Sequence, residues 1–95
     1  VVIRILDHVQ TASTYEDGDV VFKLVAAALQ RQEQVTVSFD GILSVPSSFI
    51  NGALIRLVEV VSFDTIRRCL QIADSTRQIN DLLRSRFSFV EAQRG

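Results

Sequence analysis

Methionine is absent from the 95-residue chain, and cysteine, proline and histidine occur once each. A single cysteine, Cys69, excludes an internal disulfide and a cysteine-rich zinc site. The lone His8 cannot make a metal site by itself, and no cysteine or carboxylate cluster stands at ligand spacing to help it. One proline and four glycines leave few breakers, so the loops should be short. With no methionine, Val1 is not expected to be the translation start, and a preceding segment stays open. Long apolar runs are also missing. The most apolar stretch, Ala53 to Val61, is interrupted by Arg56 and Glu59 and falls far below the ~20 residues of a membrane span. Val1 to Leu6 carries Arg4 and meets Asp7 and His8 too soon for the apolar middle of a signal peptide. Ten basic against eleven acidic residues, a net charge of -1, speak against a strongly basic nucleic-acid binder and an acidic tail.

What is present is ordinary globular material: 47% hydrophobic and 22% charged residues, enough for one core without staples. The expectation is a single domain over residues 1–95, placed in the cytoplasm, with no membrane and no nucleic-acid partner.

Hydrophobic period supplies the elements. Val1-Val2-Ile3-Arg4-Ile5-Leu6 is β-branched and reads as a mostly buried strand. Ser13-Thr14-Tyr15-Glu16 matches a capping box, while Gly18 makes a later helix start near Asp17 or Asp19 an equal alternative. Val21, Leu24, Val25, Ala28 and Leu29 then fall at helical spacing, ending near Gln32. Val35 to Phe39 alternates as a strand with one buried face does, and Asp40-Gly41 turns the chain. Pro46-Ser47-Ser48 has the shape of a helix start, with Ile50, Ala53, Leu54, Leu57 and Val58 as the buried stripe. Thr65 to Ile72 reads as a third strand carrying Cys69 in its middle. Ala73-Asp74-Ser75 offers a cap for a further helix through Ile79, Leu82 and Leu83. Arg86 to Val90 fits either a helix tail or a short edge strand. The order β-α-β-α-β-α predicts an α/β fold, a small mixed sheet with crossover helices.

Few residues carry chemistry. A Ser-His-Asp triad on His8 lacks a nucleophile-elbow sequence, so a solvent-exposed strand-end histidine is expected. Cys69 reads as a core thiol, since free cysteine is among the most buried residue types. Neither common glycine-rich phosphate loop occurs. No catalytic residue, cofactor or metal is therefore expected. Ser47 and Ser48 carry two readings. As an N-cap, a serine here is worth about 1 kcal/mol over alanine, its hydroxyl bonded to backbone amides. As a modified residue, it would gain about 1.5–2 negative charges on phosphorylation and change what docks against the loop.

The run Val35-Thr36-Val37-Ser38-Phe39-Asp40-Gly41-Ile42-Leu43-Ser44-Val45-Pro46-Ser47-Ser48-Phe49-Ile50-Asn51 resembles the core of the STAS-like domain family, a bacterial group related to anti-sigma-factor antagonists and largely of unknown function. Ile66 to Ile72 with Ala73-Asp74-Ser75 looks like that family's next strand and helix start. The resemblance implies a non-catalytic signalling module that docks a protein partner. In anti-sigma-factor antagonists the loop before this helix carries a serine phosphorylated by a partner with a histidine-kinase-like ATPase fold. Carried onto this chain, the phosphoacceptor is Ser47, with Ser48 its neighbour. Pro46 stands where the acidic residue of that motif would be, and Phe49 replaces its glycine.

Partner binding is thus expected at Ser47, Ser48, Phe49 and Asn51, with Phe49 either an exposed aromatic anchor or turned inward to cap the core. The alternative is a structural subunit that self-associates, since the aromatics of Phe87-Ser88-Phe89-Val90 need cover. A small-ligand binder or enzyme ranks last.

Overall fold

The computed structural model describes residues 1–94. Within them three strands, β1 (Val2–Arg4), β2 (Val35–Ser38) and β3 (Leu70–Ala73), and four helices, α1 (Tyr15–Gln30), α2 (Ser47–Ala53), α3 (Phe63–Cys69) and α4 (Arg77–Arg94), run in the order β1-α1-β2-α2-α3-β3-α4. Short 3-10 turns at Ile5–Asp7 and Ile55–Glu59 follow β1 and α2. The α/β class and the crossover helices are as expected, with one helix more. The sheet is not mixed: β1 and β3 both pair with the central β2 in parallel. Every strand-to-strand connection contains a helix, and such crossovers join parallel neighbours.

The pairing register separates the two faces of the sheet. Val37 stands between Ile3 on one side and Ile72 on the other, and Val35 beside Leu70, on a face that is buried or half-buried. On the other face Val2, 73% exposed, lines up with Thr36 and the exposed Gln71. The helices therefore cover one side, and the core lies between them and the inner face. Leu29, Ile50, Leu54, Leu57 and Ile79 are all fully buried there.

Two boundaries differ from the sequence reading. The first strand stops at Arg4, because Ile5 bends into the core and its carbonyl accepts from the amides of His8 and Val9, at 3.0 and 3.2 Å. The third strand keeps only its second half. Phe63 to Cys69 is helical, capped by Ser62, whose Oγ accepts from the Thr65 amide at 3.2 Å. Ile66 and Cys69, three apart, are both buried, a helical spacing that the β-branched pair Thr65-Ile66 disguises. Cys69 thus ends a helix instead of centring a strand, but it is a core thiol in either place. The open choice at Arg86–Val90 is settled as helix, within α4.

The caps of α1 and α4 are each displaced by one residue from the expected ones. Thr14 caps α1, its Oγ1 accepting from the Asp17 amide at 3.0 Å, and the Asp17 carboxylate accepts in turn from the Thr14 amide at 3.2 Å. The bonds from Ser13 and Thr14 hold the Asp17 carboxyl below the usual carboxylate range. At α4 it is Thr76, not the Ala73-Asp74-Ser75 run, that meets the Ile79 amide, at 3.4 Å.

α1 and α2 cross at a pair of glycines. A Cβ on Gly18 would lie 2.7 Å from the carbonyl oxygen of Phe49, and one on Gly52 would lie 2.7 Å from that of Tyr15. Arg56, in the turn after α2, fastens the crossing. Its guanidinium pairs with Asp19, its Nε donates to the Gly52 carbonyl at 2.8 Å, and it stacks 3.9 Å over the ring of Phe22 and 5.0 Å from that of Tyr15. The bond from Arg56, then that from Lys23, holds the Asp19 carboxyl below its ordinary range.

Helix propensity and sterics give opposite signs for Gly18→Ala. An unobstructed helical glycine gains about 1 kcal/mol on becoming alanine. Here the added methyl meets backbone atoms that cannot turn aside. G18A is therefore expected to destabilise the chain by about 1–3 kcal/mol, the range for overpacking, as read by urea denaturation. Unchanged or increased stability would show that the helices can separate at no cost.

Candidate functional site

In open parallel sheets, binding sites lie beyond the carboxyl ends of the strands. Here those ends deliver Arg4 to Asp7, Ser38 to Gly41, and Ala73 to Thr76. Arg4 donates to Asp7 at 2.9 Å and to Asp40 at 3.2 Å, tying the end of β1 to the end of β2. Those two carboxylates, Asp7 the stronger, make the guanidinium harder to deprotonate than usual. Asp40-Gly41 makes the expected turn, with φ +85° at Gly41, a left-handed backbone that glycine adopts without penalty.

Ser38 is the polar residue at the end of the central strand, 5% exposed. Its hydroxyl donates to Asp74 Oδ2 at 2.7 Å and accepts from the Asp40 amide at 3.2 Å. Burial of that hydroxyl is therefore fully compensated. The bond links β2 to the turn after β3, where Asp74 itself adopts a left-handed φ of +56°.

From Asp40 the chain runs to α2 as an extended connection. Ile42 and Val45 are buried, which turns Leu43 out at 83% exposure, next to the exposed Ser44. Beyond it, Pro46, Ser47 and Ser48 are exposed as well. The helix starts one residue earlier than the serine cap requires. Pro46, with ψ 161°, occupies the N-cap position, and its carbonyl accepts from the Phe49 amide at 3.2 Å. No side chain caps this helix. The hydroxyls of Ser47 and Ser48 are thus not spent on the backbone, which corrects the capping expectation.

Phe49 takes the inward alternative: it is wholly buried and offers no surface anchor. Asn51, one turn beyond Ser47, is half-buried and accepts from Arg86 Nε at 3.1 Å. Of the four residues expected to bind a partner, the structure brings Ser47 and Ser48 together at the surface, ties Asn51 to α4, and withdraws Phe49. His8 is exposed past the end of β1, and Cys69 is buried at the amino end of β3, so neither joins this loop. Among the described residues no three histidine, cysteine or carboxylate side chains gather as metal ligands. No helix among them is long and apolar enough to cross a membrane.

Sequence reading missed Leu43, Ser38, Asp74, Thr76 and Gln78. The run Ile42-Leu43-Ser44-Val45 does not alternate, and nothing in it tells the exposed Leu43 from the buried Ile42. The other four depend on contacts between distant segments, and no local pattern marks them.

A family model described as a STAS-like domain of unknown function matches residues 17–80, from the first turn of α1 into the first turn of α4. No curated protein and no solved structure matches the chain.

Loss of the Ser38 hydroxyl leaves the exposed Asp74 free to reach water but strips the Asp40 amide of its acceptor. Ser38→Ala is expected to cost about 1 kcal/mol, the net worth of a typical hydrogen bond, in chemical denaturation. A value near zero would mean that water replaces both contacts.

Proposed function

Because the chain belongs to the STAS-like family of domains of unknown function, we propose that it is a non-catalytic signalling module that docks a protein partner through the β2–α2 loop, with Ser47 as phosphoacceptor. The observation that carries this reading is the exposure of Leu43, 83%, on a loop anchored in the core by the buried Ile42 and Val45. A large apolar side chain held out of a fixed backbone loses little freedom when a partner covers it, so its burial counts toward affinity. Ser47 and Ser48, farther along the chain at the start of α2, are exposed and do not cap their helix, which leaves both hydroxyls open to modification. Phosphate on Ser47 adds charge to the segment that leads from that loop into α2 and opposes apolar docking there. A histidine-kinase-like ATPase is the partner that the resemblance of Val35–Asn51 to anti-sigma-factor antagonists favours.

The experiment is a calorimetric titration of the domain with purified histidine-kinase-like ATPase domains and ATP, alongside mass spectrometry of the product. Leu43→Asp and Ser47→Asp are each expected to weaken binding about tenfold or more, about 1.4 kcal/mol, with melting temperatures close to wild type. Phosphate is expected on Ser47. Equal affinity in wild type and both variants removes the docking reading.

A second reading, self-association, has its own support. β3 is an edge strand. Beside it a groove of about 340 Å³ is lined by Phe63, Ile66, Leu70, Ile72, Leu83 and Phe87. Unpaired strand edges next to apolar surface favour pairing with a second copy. Sedimentation velocity is expected to show a concentration-dependent dimer on this reading, and monomer at every concentration removes it.

A further inference from the structure

The stretch Leu43–Val45 makes no backbone-to-backbone hydrogen bond among the described residues, although Val45 is buried. Buried amides and carbonyls must find partners, and these find theirs in side chains of one segment. Thr76 Oγ1 donates to the Leu43 carbonyl at 2.7 Å. The Gln78 carboxamide takes both groups of Val45: Oε1 accepts from its amide at 3.1 Å, and Nε2 donates to its carbonyl at 3.0 Å. Asp74, two residues before Thr76, receives the Ser38 hydroxyl. Alternate residues 74, 76 and 78 thus bond the end of β2, then the middle and the end of the connection that follows it.

We infer that Thr76 and Gln78 are positioning residues for the docking loop: they take the place of an adjoining β-strand and set which side chains the loop turns outward. The inference rests on the docking reading above. Gln78 does by side chain what a neighbouring strand does by backbone, since it satisfies the amide and the carbonyl of one residue together. With the backbone groups of Val45 held by Gln78 and the Leu43 carbonyl held by Thr76, Ile42 and Val45 stay buried and the Leu43 side chain between them is left in solvent. Without those bonds the loop is free to turn, and Leu43 no longer holds a single direction. Thr76 also meets the amide of Ile79 at the start of α4, so the loop and that helix share one tether. A partner that reads the loop therefore reads the junction between β3 and α4 through it.

The test is amide hydrogen exchange at Val45, with Val37 in β2 as the internal reference, together with the ATPase-domain titration described above. Gln78→Ala is expected to speed exchange at Val45 about fivefold, the equivalent of one net hydrogen bond, with Val37 unchanged and partner affinity reduced. Gln78→Glu keeps an acceptor for the Val45 amide, and its protection is expected to stay near wild type. Thr76→Val removes the donor to Leu43 and should weaken partner affinity as well. Unchanged exchange at Val45 in Q78A overturns the clamp, whatever the partner does. Faster exchange in Q78A, with L43D still binding at full strength, instead overturns the docking reading on which the clamp's role depends.

Discussion

The close crossing of α1 and α2 is the constraint on which the remaining geometry depends. Two helices whose backbones meet at Gly18 and Gly52 have no side-chain layer between them at that point. They cannot slide or rotate against one another without a collision of main-chain atoms. Arg56 then holds the pair from one side, reaching Asp19, Tyr15 and Phe22 on α1 and the Gly52 carbonyl on α2. With α2 fixed in rotation, the directions of its first residues are fixed too. Phe49 is driven into the core, and Ser47 and Ser48 are left at the surface.

A second set of contacts acts on the chain leading into that helix. The β2–α2 connection is anchored at one end by the crossing and along its length by side chains from the β3–α4 junction. A loop held at both ends and in the middle behaves as part of the scaffold, which is the condition for a preorganised contact surface. The open face of the sheet lacks any such cover, and Val2 and Gln71 stand there in solvent. The side-chain bonds that hold the connection are concentrated beyond the strand ends.

Local patterning disclosed a good part of this architecture. The helical stripe of α1, the alternation of β2 and the turn at Asp40-Gly41 follow from period and turn chemistry alone. The stripe from Ile50 to Val58 is also buried as expected, although it passes from α2 into a 3-10 turn. The third strand was misjudged because Thr65 and Ile66 favour strands, while Ser62 and the i, i+4 pair of Asp64 with Arg68 at 3.0 Å favour a helix. The serine pair was legible as a helix start but not as uncapped, since that depends on Pro46 assuming the extended N-cap position.

By itself the sequence determined the α/β class, the resemblance of the central segment to the STAS-like family, and the position of the loop before α2. These are set by neighbours within one turn or one strand, where spacing speaks directly. Only the tertiary structure decided that Phe49 turns in and Leu43 turns out, that the sheet is parallel with one bare face, and that Gln78 holds Val45. Each of those outcomes is a contact or a choice of face between segments far apart in the chain, and such pairings are settled by how the helices pack, not by any residue's own preference.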